Sequence, residues 1–133
     1  MTDVLVDSSV VIDLASGSSE WFQWSSDALR RLGRQGSLLV NQIIVAESLS
    51  AYRQGGEARL ALDEVFVRRS FPWEAAILAG EAHADYRRRG GPRTAILPDF
   101  LIAAHAQAEG LVLLTRDPRR VRTAFADLDI VAP

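Results

Sequence analysis

The chain has 133 residues, of which 48% are hydrophobic and 24% charged, with a formal net charge of −2. That length holds one domain with a sizeable core but not two, and the composition is that of a globular rather than a disordered chain. The absence of cysteine excludes disulfides and thiolate metal sites, two separated histidines are a poor start on a zinc site, and the charge argues against wholesale electrostatic binding of nucleic acid.

All 15 basic residues are arginine, so mechanisms that need a catalytic lysine are closed. No apolar run approaches the roughly 18 residues of a membrane span, and Asp3 stands where a secretory leader would carry a basic flank. A soluble, cytoplasmic protein with no membrane association is expected.

In chain order, Val4–Val6 read as a short buried strand. Asp7, Ser8 and Ser9 then offer turn and cap chemistry before the apolar stretch Val10–Ala15, read as a helix. Gly17 to Ser19 form a loop and Trp21–Arg34 a helix. At about 100° per residue, Trp21, Trp24, Ala28 and Leu32 share one face of it, with Phe22 and Leu29 at the margin. The three aromatics are expected to pack into the core. Gly36 breaks the helix, Leu38–Val40 are strand-like, and Asn41 caps a helix over Gln42–Tyr52. Gly55-Gly56 turn into a helix at Glu57–Glu64, and Val65–Phe71 fit either a strand or a loop. Trp73–Arg89 form a helix that starts after Pro72 and ends in three arginines, which suit its dipole. A loop from Gly90 precedes the helix Asp99–Glu109, closed by Gly110. The strand Val112–Thr115, a short helix from Asp117-Pro118 to about Phe125 and a last strand at Asp129–Ala132 complete the chain. Strands separated by helices predict a three-layer α/β/α sandwich around a mainly parallel sheet.

Sites in open parallel sheets lie beyond the carboxyl ends of the strands. Asp7 and Asp117 each follow a predicted strand, and Asp99 opens a helix returning to the same sheet. Each also has a capping role open to it: Asp117 with proline at N1, Asp99 at its helix start, Asp7 in its turn. Glu47 falls between Ile43 on one side and Ile44 and Ala51 on the other, inside the apolar arc of its helix. A carboxylate there is costly unless a cation or donor meets it. Crowded carboxylates raise one another's pKa values unless a divalent cation neutralises them, and oxygen ligands favour Mg²⁺ or Mn²⁺ over zinc.

Val-Asp7-Ser-Ser-Val-Val-Ile, Val-Ala-Glu47-Ser, Asp99-Phe-Leu-Ile-Ala-Ala-His-Ala and Leu-Leu-Thr-Arg-Asp117 resemble the acidic motifs of PIN-domain nucleases. Length and motif order are similar to those of VapC-type toxins of bacterial toxin–antitoxin pairs, from Val4 to about Phe125. The resemblance implies that Asp7, Glu47, Asp99 and Asp117 bind Mg²⁺ and cleave RNA, and that Ser9 and Thr115 orient ligands or water. It also implies an antitoxin partner and a homodimer. His105 stands where the family usually has a smaller residue, and the loop from Gly90 to Leu97 is rich in Gly and Pro.

Arg93 and Arg116 flank the acidic stretch and are candidates for RNA phosphate; Arg87–Arg89, Arg119, Arg120 and Arg122 could also serve, or simply be solvated. His105, about 120° around its helix from Asp99, is read as a partly buried, hydrogen-bonded histidine. His83 is read as solvated and Asp13 as an exposed helix position.

The alternatives are a PIN-fold nuclease outside any toxin system, acting in RNA processing or on DNA, and a non-catalytic protein-binding module whose acids cap helices and point apart. A phosphatase or phosphoacceptor domain would rely on a lysine that this chain lacks.

Overall fold

The computed structural model describes residues 2–17, 20–51, 56–92 and 95–133. Its centre is a five-stranded, wholly parallel sheet: β1 (Val4–Val6), β2 (Leu38–Val40), β3 (Val67–Arg68), β4 (Val112–Leu114) and β5 (Ile130–Val131), in the spatial order β3-β2-β1-β4-β5. Val4 pairs with both Leu38 and Val112, and Val6 with Leu114, so β1 is the central strand. Val4, Leu5 and Val6 are all buried to 1% or less. This continuous burial is what a strand covered on both faces requires and explains why its sequence does not alternate. The undecided stretch around Val67 resolves as an exposed edge strand paired to β2.

The helices are α1 (Ser8–Ser16), α2 (Phe22–Gly33), α3 (Gln42–Ser50), α4 (Gly56–Val65), α5 (Trp73–Arg88), α6 (Pro98–Ala108) and α7 (Arg119–Ala124). The chain moves one way from β1 to β3 and the other way through β4 to β5. Right-handed crossovers therefore place α1–α4 on one face and α5–α7 on the other. The packing agrees: α1 lies against α2, α3 and α4, and α5, α6 and α7 lie against one another.

Helix α6 fixes the second layer. Phe100, Ile102, Ala103, Ala104, His105 and Ala106 are all buried to 1% or less, and small alanines let its backbone approach β1 and β4 closely. Its end is set by Gly110, whose φ of 65° allows the Leu111 amide to donate to the Ala106 carbonyl at 2.8 Å and its own amide to reach Gln107 at 3.3 Å. At the other end Pro98 occupies the first turn and leaves Asp99 just inside the helix. Asn41 caps α3 as expected, accepting from the Ile44 amide at 2.9 Å.

Several expectations about side chains change. His83 is buried: with Ala75 and Ala79 it forms the four-residue-spaced stripe of α5 that faces α6, and its ring packs beside Tyr86 and Phe100. The charged neighbours that suggested solvation occupy the other face. Asp13 is buried to 1% where α2 covers α1. The three aromatics at the start of α2 are all only partly buried, and of them Trp24 packs against the core cluster. No helix among the described residues is long and apolar enough to cross a membrane.

Candidate active site

Strand order reverses beside β1, where α1 leaves towards one face and β4 arrives from the other. Loops diverge there, so the carboxyl ends of β1 and β4 open a crevice. Asp7 stands directly after β1, and its amide continues the sheet ladder by donating to the Leu114 carbonyl at 2.9 Å. Although Asp7 occupies the position before α1, its side chain makes no capping bond. Its Oδ2 instead accepts from the Ser9 hydroxyl at 2.8 Å and the Thr115 hydroxyl at 2.9 Å. Those hydroxyls in turn accept from the amides of Arg116, at 3.3 Å, and Asp117, at 3.2 Å. Two hydroxyl relays thus lock the ends of β1 and β4 together and hold the Asp7 carboxylate in one orientation.

Glu47 arrives from α3. Its Oε1 accepts from the Ser8 hydroxyl at 3.0 Å, a partner that sequence reading passed over in favour of the adjacent Ser9. Only the helical placement of α1 separates the two serines: one turns to α3, the other to β4. Asp99 arrives from α6. Its Oδ2 accepts from Arg120 Nη1 at 3.2 Å, while its Oδ1 is buried with no hydrogen-bond partner.

These three acids sense one another. Burial raises the Glu47 carboxyl above its ordinary value, opposed by the Ser8 hydrogen bond and reinforced by the charges of Asp7 and Asp99. Burial likewise raises Asp99, against the charge and hydrogen bond of Arg120, and Asp7 adds to the rise. Asp117 differs. Arg119 grips it at 3.0 and 3.3 Å and holds its carboxyl below the ordinary value, first through that hydrogen bond. Asp117 lines a cleft of about 650 Å³ together with Asp99, Arg119 and Arg120, but its side chain is 65% exposed and turned to its neighbour. Nor does it cap α7, which begins at Arg119 behind Pro118.

The donor set matches a hard divalent cation in chemistry and charge. It offers carboxylate oxygens only, one of them buried without a donor, and mutual repulsion that positive charge would relieve. Among the described residues no three such groups are gathered as a ready ligand set. Of the four expected carboxylates, Asp7, Glu47 and Asp99 are coupled through their charges, whereas Asp117 lies at the mouth of the adjoining cleft on its own arginine.

The candidate phosphate-binding arginines fare differently. Arg93 lies outside the described residues. Arg116 is committed elsewhere: its Nε sits 2.9 Å from Asp13 Oδ2, and its guanidinium lies 5.9 Å from the centre of the Trp21 ring. A buried carboxylate and an aromatic face thus engage it, while its side chain stays 32% exposed. His105 is fully buried and bridges Asn41, at 2.8 Å, and Glu109, at 2.5 Å. Because Asn41 Oδ1 serves the α3 cap, its amide nitrogen is the donor to His105 Nδ1, which leaves the proton on Nε2 facing Glu109. The histidine thereby ties the start of α3 to α6, the two helices that carry Glu47 and Asp99.

The raised carboxyls carry a stability consequence. A carboxyl whose pKa is higher in the folded state contributes stability below its unfolded value and loses it as pH rises through the folded one. The ordinary values are 4.5 for Glu47 and 3.8 for Asp99, so these groups make the metal-free protein lose stability as pH climbs from the acid range towards neutrality. Asp117 acts in the opposite sense, but solvent screens it. Urea unfolding of wild type and Glu47→Gln across this range should show the difference growing in favour of the glutamine variant; identical pH dependence would contradict the coupling.

The family model described as PIN domain matches residues 4–126. A search of curated proteins finds no significant match. Among solved structures, the VapBC2 complex of Rickettsia felis bound to a promoter DNA fragment is similar with a TM-score of 0.76 and 17% identity, covering 98% of each chain. A toxin–antitoxin complex from Klebsiella pneumoniae has a TM-score of 0.67 and 25% identity over 96% of this chain and 95% of that one. A Mycobacterium tuberculosis VapC, described as a sarcin–ricin-loop-cleaving toxin, has a TM-score of 0.62 and 16% identity over 90% of this chain and 94% of that one.

Proposed function

The chain belongs to the PIN-domain family, and from that premise we propose that it is a Mg²⁺-dependent endoribonuclease, the toxin of a toxin–antitoxin pair. The observation that carries the reading is the coupled trio Asp7, Glu47 and Asp99 at the switch point of the sheet, two of them with raised carboxyls. Structural relatives described as toxin–antitoxin complexes support the antitoxin partner, and sarcin–ricin-loop cleavage by the Mycobacterium relative favours RNA over DNA.

In this mechanism Asp7, Glu47, Asp99 and Asp117 would hold the cation, with Mn²⁺ as an alternative to Mg²⁺. When bound, it supplies Lewis-acid activation of the attacking water and charge stabilisation of the leaving oxygen. Ser9 and Thr115 keep Asp7 aimed into the crevice, and Ser8 does the same for Glu47. The raised Glu47 carboxyl is suited to take or return a proton through water. Trp73, 88% exposed and beside Ile43 and Phe71, and Ile77, 62% exposed one turn further along α5, provide an apolar surface for pairing with a second copy. The protein acts in the cytoplasm, as one domain.

Purified protein should cleave single-stranded RNA in Mg²⁺, stop on chelation and resume when Mg²⁺ is restored. RNA left intact while DNA of the same sequence is cut would reassign the substrate, and chelator-resistant cleavage would remove the metal.

A further inference from the structure

Among the described residues of the large cleft, the two acids are both engaged by arginines of α7, and a third arginine, Arg89, faces neither of them in an ion pair. Arg119 takes Asp117 with two nitrogens, and Arg120 takes one oxygen of Asp99 while the other stays unserved. Both guanidiniums sit on accessible stems: the Arg119 side chain is 88% exposed and that of Arg120 is 44% exposed. A guanidinium fork recognises carboxylate and phosphate by the same paired geometry, which an ammonium does not offer, and this chain has only guanidiniums.

We propose that Arg119 and Arg120 are exchangeable counter-ions of the site: they neutralise Asp117 and Asp99 in the resting protein, yield those carboxylates to a divalent cation, and then bind the phosphate backbone of the RNA substrate. This rests on the nuclease reading above. The charges of the cleft make the exchange productive. With Asp99 and Asp117 against Arg89, Arg119 and Arg120, the described residues of its lining carry a net charge of +1. Without the α7 arginines two acids would face a polyanion with a single positive charge beside them. Once a cation satisfies the acids, both arginines are free beside the scissile position, where they place substrate rather than take part in bond breaking.

The two halves of the exchange have opposite signs. In the full-length protein, Arg120→Gln removes a competitor for Asp99, so calorimetric titration with Mn²⁺ alone should show binding tightened about threefold. The same variant should bind a single-stranded RNA oligonucleotide more weakly in Ca²⁺, with the slope of log K against log salt reduced by about 0.7. Arg119→Gln should behave alike through Asp117. Mn²⁺ affinity that is unchanged or weakened in Arg120→Gln overturns the competition, and RNA affinity that is unchanged overturns the phosphate role. Wild-type protein run in parallel separates the two levels. If it binds Mn²⁺ and cuts RNA but the variants do not shift, only the exchange fails; if it does neither, the nuclease reading fails with it.

Discussion

Asp7→Asn is expected to lower RNA cleavage by about a thousandfold, or about 4 kcal/mol of transition-state stabilisation, in a protein that stays folded. Asparagine fits the hydrogen-bonding of the site. Both hydroxyl donors, Ser9 and Thr115, meet the same carboxylate oxygen, and an amide oxygen there can accept from both. The ties between β1 and β4 therefore survive. What disappears is the negative charge that adds to the rise burial imposes on Glu47 and Asp99. The thermal midpoint at neutral pH should consequently be equal to or above that of wild type, while single-turnover cleavage collapses. This pairing of lost activity with retained stability marks a residue held in place for chemistry rather than for folding. Cleavage within a few-fold of wild type would remove Asp7 from the metal-binding set.

The largest loss of stability is expected from Arg116→Met. Asp13 is buried to 1%, accepts from the Ser25 hydroxyl at 2.8 Å and faces the Arg116 guanidinium at 2.9 Å. Methionine preserves much of the apolar stem but removes the guanidinium that faces the buried Asp13 carboxylate and lies over the Trp21 ring, a change that costs about 3 kcal/mol. For a chain of this length that corresponds to a fall of about 10 °C in thermal midpoint. The double variant Asp13→Leu with Arg116→Met should recover most of the loss, because replacing both members of a buried pair with apolar groups is close to neutral. A single variant as stable as wild type would show that the pair contributes nothing.

The opposite fates of Arg116 and Arg120 show where sequence reading stops. Both follow β4 within a few residues and both are basic, yet one is locked to α1 and the other leans over Asp99. Nothing local separates them, because the acid that captures Arg116 lies near the other end of the chain. The same limit applies to His83, whose charged neighbours along the chain are not its neighbours in space, and to Ser8 and Ser9, whose separate duties depend on how α1 sits between α3 and β4.

The sequence by itself determined the succession of strands and helices, the parallel sheet, and the positions of Asp7 and Asp117 at strand ends and Asp99 at a helix start. These features are written in short-range terms: continuous apolar triplets for strands buried on both faces, glycine where α6 must close, asparagine where α3 must be capped. Tertiary structure alone decided which charges meet. Thr115 and Asp7 are 108 positions apart yet share a hydrogen bond, and that closure brings the acids from α3 and α6 within reach of one another's charge. It also set Asp117 apart on Arg119. Burial patterns are local and leave a period in the chain, whereas the partner of a charge depends on which strands become neighbours and on the sides their crossovers take.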